Sequence, residues 1–319
     1  MAFDLTNPIF NNEDAARVYF ESIRWPDGKP VCPHCGVIGQ ATLIKGGSHR
    51  PGMYQCNACL KPFTVTIGSV MESSHVPLHK WALAFRLMAA SKKGVSAHQL
   101  MRTLGLGSYR SAWFLAHRVR EAMADRDPEP LGGKGKTVEI DETFIGKPDQ
   151  TFVSGKGWMG KRGTATKRKV LTMVERRGRA VSVKVEDLTV QTLKTVIGKH
   201  VVLDSTLNTD EAQFYKPIGK KFAEHEAVNH GSGEYARGET TTNTVEGFFS
   251  IFKRGMTGIY QHCGENHLPA YLSEFDFRYS NRIGLGVDDT ERARRAVKGA
   301  EGKRLTYRPS RSAQQARAV

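Results

Sequence analysis

Four cysteines in two tight pairs, Cys32-Pro-His-Cys35 and Cys56-Asn-Ala-Cys59, constrain this chain more than any other feature. Two CxxC knuckles separated by about twenty residues have the spacing of a four-thiolate zinc site. Each pair clamps one side of a tetrahedral ion, and the segment between them returns as a hairpin. In a reducing compartment the same residues are poorly used as disulfides. Residues 32 to about 66 therefore read as a zinc ribbon ending in the strand-like PFTVTIGS. A ribbon this small buries little core, so the Zn²⁺ supplies much of its folding free energy. His34 lies inside the first knuckle, but four thiolates already fill the shell and it reads as a bystander. Cys263 reads as an ordinary small side chain.

The chain of 319 residues is long enough for a full core and one or two small modules. Its 47 Lys+Arg against 32 Asp+Glu leave a formal charge of +15. Such an excess favours a polyanionic partner, because neutralising phosphates releases counterions; a basic but merely solvated surface is the plainer alternative. No run of eighteen apolar residues suggests a membrane span. The N-terminus, MAFDLTNPIFNNEDAARVYF, has neither a basic n-region nor an apolar h-region, so a cytoplasmic protein is expected.

Around the ribbon the periodicity is helical. Residues 12 to 24 read as a short helix, and Trp81, Ala84, Phe85 and Met88 recur at helical spacing. The segment VSAHQLMRTLGLGSYRSAWFLAHRVREAM divides into two helices. Ala97, Leu100, Met101 and Leu104 line the first, Gly105-Leu106-Gly107 breaks it, and Ser108 is an N-cap for the second. Burying Ala112, Ala116, Val119 and Met123 leaves Tyr109, Arg110, Ser111, Arg118 and Arg120 outward. Helix, glycine turn, basic helix is the pattern of a helix-turn-helix DNA reader, although two ordinary packed helices share it.

After a linker at 125–135 a larger domain begins near Thr137. Three leading strands followed by alternating helices and strands suit an α/β three-layer domain. Three acids punctuate it: Asp141 in the half-buried strand VEIDETFIG, Asp210 where a strand passes into a helix in TLNTDEAQFY, and Glu246 in TNTVEGFFSIFKRG. Carboxylates held at element ends in a Lys/Arg-rich protein suggest a divalent-metal site acting on phosphodiesters. Two Mg²⁺ or Mn²⁺ ions suit such chemistry, with Asp141 bridging, Asp210 on one ion and Glu246 on the other. Lys253, seven residues after Glu246, lies within about 20° of it around the helix, beside an apolar face of Val245, Phe248, Phe249 and Phe252. A surface Glu/Lys pair is the plainer account of that stripe. Glu142, next to Asp141 on a strand, is expected on the opposite face. The glycine-rich loop at 147–169, with Lys156, Lys161, Arg162, Lys167, Arg168 and Lys169, reads as solvated or as a phosphate grip. The basic tail from about 287 is expected to be disordered.

The motifs RWPDGKPVCPHCG, VEIDETFIG, LNTDEAQFY, VNHGSGEY and TNTVEGFFSIFKRGMTGIYQHCGENHLPAYLSEFDFRYSNR together resemble bacterial insertion-sequence transposases of the ISXO-like type. That zinc-ribbon group lies within the DDE superfamily. The resemblance spans most of the chain, to about Arg282. It implies an RNase-H-like catalytic domain at 136–285, following an N-terminal helical segment (1–30), the zinc ribbon (31–70) and a helix-turn-helix region (75–127), with a basic tail at 286–319. It implies Asp141, Asp210 and Glu246 as catalytic metal ligands, with Lys253 contacting DNA near the site. It further implies recognition of inverted repeats at element ends, then strand cutting by water and joining by a 3′-hydroxyl. Tyr109, Arg110, Ser111, Arg118, Lys253 and Arg254 are the expected contacts to double-stranded DNA, and a homodimer or larger assembly is expected on it. Asp204 competes with Asp210, and Asn243 with Glu246; the NTDE context and the spacing to Lys253 favour Asp210 and Glu246. His230 is either a group near the site or a structural histidine. A catalytically inactive DNA-binding derivative and a zinc-ribbon repair nuclease are the alternative functions.

Overall fold

The computed structural model describes residues 4–306 apart from 147–149, 156, 161–163, 165–166 and 235; of 150–153, 158 and 160 it describes the backbone only. Lys156, Lys161 and Arg162 of the basic loop and the tail beyond 306 lie outside the described residues. Two compact units are formed, one from Met1–Ala124 with Val287–Val319, the other from Asp125–Gly286. No helix among the described residues is long and apolar enough to cross a membrane.

In the first unit, Asn12 caps α1 (Glu13–Arg24) by accepting from Ala15 N, and Ala16, Phe20 and Ile23 form its buried face. Three short strands, β1 (Ala41–Leu43), β2 (Tyr54–Cys56) and β3 (Pro62–Phe63), make an antiparallel sheet in that order. Helix α2 (Leu78–Ala90) buries Trp81, Ala84, Phe85 and Met88, the residues picked out by spacing. Helix α3 (Ala97–Thr103) ends where Gly105 takes a left-handed φ of +57°, a conformation glycine adopts without a Cβ penalty. Ser108 then caps α4 (Tyr109–Met123), accepting from Ser111 N at 3.1 Å.

The second unit is built on a five-stranded mixed sheet. Its elements in order are β4 (Thr137–Ile145), the hairpin β5 (Gln150–Val153) and β6 (Gly157–Gly160), β7 (Arg168–Glu175), β8 (Ala180–Val185), α5 (Val190–His200), β9 (Thr206–Thr209), α6 (Tyr215–Gly219), β10 (Glu224–Ala227), β11 (Ala236–Arg237), β12 (Thr240–Thr241), α7 (Asn243–Gly255) and α8 (Leu268–Ser280). The strand order is β10-β9-β4-β7-β8. β4, β7 and β8 are antiparallel neighbours, whereas β9 lies parallel to β4 and β10 parallel to β9. Alternation along β4 sends Val138 and Ile140 into a core with Leu171, Met173, Leu193 and Ile197, the side of α5 and α6. Val170 and Val174, facing the other way, pack with Val245, Phe248, Phe249 and Phe252 of α7 and Leu272 and Phe275 of α8. Helices thus cover both faces of a mixed sheet.

Three expectations need correction. The loop at 147–169 contains the β5–β6 hairpin. The segment from 287 is not disordered throughout: Asp288 caps α9 (Asp289–Lys298), which buries Ala293, Ala296 and Val297 and packs on α2, α1 and α4. Arg292 on that helix donates to the Ala89 carbonyl at 3.3 Å. Arg118 and Arg120 are buried, not outward. The Arg118 guanidinium donates to the Glu72 carbonyl at 3.1 Å and lies over the Phe114 ring, 4.8 Å from its centroid. α4 packs against α2, α3 and α9, so the face that a helical projection leaves polar is covered.

Candidate active site

Asp141 and Asp210 meet because their strands are neighbours. β4 and β9 run parallel but pair over three residues, ending at Glu139↔Asn208. Beyond that pair β4 continues unaccompanied on this edge, and β9 ends at Thr209. Asp141 stands on the free stretch of β4 and Asp210 one residue past β9, where its Oδ1 accepts from Ala212 N at 3.0 Å. Asp204 sits exposed in the turn at the opposite, leading end of β9.

A fourth acid joins them. Carboxylate oxygens of Asp141, Glu142 and Asp210 all lie within 4.8 Å of one another. Glu142 does face the α5/α6 side, as alternation requires. At an unpaired strand edge, however, a long side chain reaches round, and the buried Tyr215 hydroxyl donates to Glu142 Oε2 at 2.8 Å. Asp141 meanwhile turns toward its own backbone, accepting from Glu142 N at 2.7 Å.

Glu246 arrives on the first turn of α7, exposed to solvent. Its Oε1 accepts from the Thr242 hydroxyl at 3.2 Å and lies 3.7 Å from His230 Nε2. His230 is held in turn by Glu211, which accepts from the backbone N–H groups of His230 and Gly231. The histidine therefore belongs to the neighbourhood of the acids. Asn243, one turn earlier, is exposed, and its amide donates to Thr241 Oγ1. Among the described residues no contact brings Lys253 to the carboxylates: its ammonium lies over the Phe249 ring, 5.6 Å from the centroid. Two turns of α7, about 10.5 Å along the axis, separate it from Glu246. Arg254 is exposed beside it. Of the basic loop, Arg168 donates to the Cys263 carbonyl and Lys169 to that of Glu186, so both are engaged by backbone.

The electrostatics are those of a cation site. Burial, joined by the charges of Glu142, Asp210 and Glu246 and opposed by the Glu142 amide, pushes the Asp141 carboxyl up to about 7. Asp210 is raised by burial and by Glu211, with the Ala212 amide and His230 opposing. Glu142 is raised by burial and by Asp210, with the Tyr215 hydroxyl opposing. Oxygen donors crowded together at the cost of their own ionisation are what a hard divalent cation relieves. The donor set fits such an ion.

The ribbon thiols form the second cluster. Cys32 and Cys59 sulfurs stand 3.7 Å apart, and those of Cys35 and Cys56 3.6 Å apart. A tetrahedron with metal–sulfur bonds of about 2.3 Å has edges of about 3.8 Å, so the group is sized for zinc. The Cys59 amide donates to Cys56 Sγ and is the main cause of its lowering to about 7, which favours the thiolate a metal needs. His34 is exposed and bonds the Pro62 carbonyl. Cys263 is buried, its thiol donating to the Gly264 carbonyl.

Tyr109, Arg110 and Ser111 form the exposed first turn of α4. Tyr109 packs on His98 of α3 with ring centroids 4.4 Å apart.

Two family matches bracket these features. Residues 130–280 match the ISXO2-like transposase domain, and residues 11–61 the transposase zinc-ribbon domain. The chain thus carries an ISXO2-like transposase domain and a transposase zinc-ribbon domain. The chain is also similar to a protein of Halobacterium salinarum described as an uncharacterized protein in transposable element ISH50. The two are 27% identical over 281 residues, which covers 84% of this chain and 91% of that protein. The transposase domain contains Asp141, Glu142, Asp210 and Glu246, and the zinc-ribbon match contains all four ligand cysteines.

Proposed function

We propose that the protein cuts and joins the DNA strands at the ends of an insertion sequence, recognising terminal inverted repeats and using an RNase-H-like domain with two divalent ions, Mg²⁺ or Mn²⁺. The observation that carries this reading is the convergence of Asp141, Glu142 and Asp210 at one strand edge with Glu246 close enough to raise Asp141. The sheet order, antiparallel β4-β7-β8 continued by parallel β9 and β10, supports the domain assignment.

Asp141, Asp210 and Glu246 would hold the ions, and Glu142, steadied by Tyr215, offers a further oxygen at the same edge. When bound, the ions supply Lewis-acid stabilisation of the attacking and leaving oxygens. In the cutting step a water oxygen bonds to phosphorus, the P–O3′ bond breaks, and the 3′-oxygen takes up a proton. In the joining step that 3′-hydroxyl loses its proton as it attacks a target phosphodiester and displaces another 3′-oxygen. One phosphodiester replaces another, so no energy source is consumed. Lys253 and Arg254, at the solvent end of α7, contact phosphates. Tyr109, Arg110 and Ser111, at the start of α4, read DNA as the leading turn of a recognition helix. Arg118, being buried, is withdrawn from that surface. Two ends must be held together, so a dimer or larger DNA-bound assembly is part of the proposal.

The test is strand nicking and joining of inverted-repeat ends in Mn²⁺ by wild type and Asp141→Asn. Cutting and joining by wild type alone supports the proposal. Cutting without joining points to a nuclease, and end binding with no cutting by either protein points to an inactive DNA-binding derivative.

A further inference from the structure

Three strands converge on the start of α7. Glu139 stands on β4 two residues before Asp141, on the same face, and is fully buried at 0% exposure. Its carboxylate accepts from Thr244 N at 2.7 Å, Val245 N at 3.2 Å, Thr244 Oγ1 at 2.8 Å and Arg176 Nε at 2.7 Å. Arg176, just beyond β7, also donates to the Thr241 carbonyl at 3.3 Å. Asn208 of β9, opposite Glu139 in register, donates to that same carbonyl at 3.2 Å and to the Glu239 carbonyl at 3.5 Å.

A helix leaves its first backbone N–H groups without partners, and a local N-cap side chain normally satisfies one of them. At α7 the N-cap, Thr242, makes no such bond; its hydroxyl goes to Glu246 instead. The orphan donors are satisfied by a residue 105 and 106 positions earlier, on the strand that carries Asp141. The distinction matters geometrically. A local cap stabilises a helix end without fixing where it lies. A cap donated by β4 ties the helix terminus to the strand. A carboxylate offers about four lone-pair sites, and four donors occupy those of Glu139, leaving nothing for a metal ion.

We propose that Glu139 is the positioning residue for the third acid: with Arg176 it pins the first turn of α7 to β4 and so sets Glu246 against Asp141. The proposal rests on the reading of that site as metal-dependent, and its test separates the two.

Glu139→Gln keeps the shape but turns an N–H₂ toward the donors. Thr244→Ala, which removes a single hydroxyl donor, is the mild companion should the first variant fail to fold. In the full-length protein, hydrogen exchange at Thr244, Val245 and Glu246 reports anchoring, and calorimetric Mn²⁺ titration reports placement of Glu246. Loss of a group that orients a metal ligand typically weakens affinity by about 10–100-fold. Glu139→Gln is expected to fall in that range and to speed exchange at 244–246 while the β4 and β7 amides stay protected. Thr244→Ala is expected to move both readings in the same direction by a smaller factor. Unchanged exchange overturns the proposal. So does faster exchange with wild-type Mn²⁺ affinity, which reduces Glu139 to a structural cap. Wild type that neither binds Mn²⁺ nor cuts DNA overturns the metal reading instead, and the exchange measurement alone then decides whether Glu139 anchors α7.

Discussion

The zinc ribbon and the acidic edge each gather metal-binding side chains, yet they are built in opposite directions. In the ribbon the four ligands come from 28 consecutive residues, Cys32 to Cys59, flanked by strands of two or three residues. So little regular structure cannot hold four sulfurs at 3.6–3.7 Å separations by packing alone, so the metal organises the chain. At the acidic edge the carboxylates come from Asp141 to Glu246, and a complete sheet with a core on each face places them. There, on the proposed reading, the chain organises the metal, because it crowds the carboxylates together before any ion arrives.

The contrast breaks or holds on what happens when a ligand is removed. Cys56→Ser is expected to have the largest effect. Structural zinc contributes about 10–16 kcal/mol in small metal-dependent domains, so residues 32–63 should lose amide protection and elemental analysis should find no stoichiometric zinc. A protected ribbon without zinc would show that the scaffold holds itself and does not need the ion.

Asp141→Asn should do the reverse to stability while abolishing chemistry. Strand cutting is expected to fall by at least about ten-thousand-fold, some 5.4 kcal/mol of barrier. The domain should stay folded and, without metal, become more stable at pH 7.5, because a repelled buried charge has been removed. A destabilised variant would mean that Asp141 is held by favourable contacts and not against its own ionisation.

The pH dependence follows from the same charge. Asp141 titrates at about 7 in the folded protein against 3.8 when unperturbed. The folded state therefore keeps a proton that the unfolded chain has already released. The associated stability is complete below about pH 4 and is lost progressively up to about pH 7, at no more than about 1.4 kcal/mol per pH unit. Asp276, also raised to about 7 by burial despite its bonds to Ser182, has the same sign. Subtracting the profile of Asp141→Asn isolates the Asp141 part. Denaturant melts of metal-free protein from pH 4 to 8 supply both curves, and parallel curves would refute the assignment.

Tyr215→Phe should give the smallest change. It strips the hydroxyl from Glu142 and leaves a half-buried acceptor unmatched, a loss of about 1–3 kcal/mol. Mn²⁺ should restore part of that loss if Glu142 turns toward the ion, and a thermal-shift series with and without Mn²⁺ measures it.

The same contrast explains what could be read from the chain alone. The ribbon was legible because its ligands are adjacent in sequence and zinc dictates their spacing. Asp141 and Asp210 could be picked out because one sits in an alternating strand run and the other where a strand passes into a helix, and the structure brings the two together. Glu142 was set aside because alternation assumes a strand flanked on both sides, and pairing with β9 stops at Glu139. Arg118 was misplaced because a helical projection shows one polar face and cannot know that the Glu72 carbonyl and the Phe114 ring take its guanidinium. Helix α9 is so rich in charge that composition hid it; the Asp288 cap and the spacing of Ala293, Ala296 and Val297 were the signals present. Glu139 carried no signal of its own, since its partners lie over a hundred residues away.

The return of α9 to the first unit has a consequence for how the protein is made. The chain leaves that unit after Ala124 and rejoins it at Val287, so the ribosome must complete the whole intervening domain first. At about 5–20 residues per second, that delay lasts roughly 10–30 s. Until then the face of α2 that receives α9 is uncovered, and the Ala89 carbonyl lacks Arg292. The segment made first is therefore among the last to mature, and a transcript broken within the inserted domain yields a first unit that never closes.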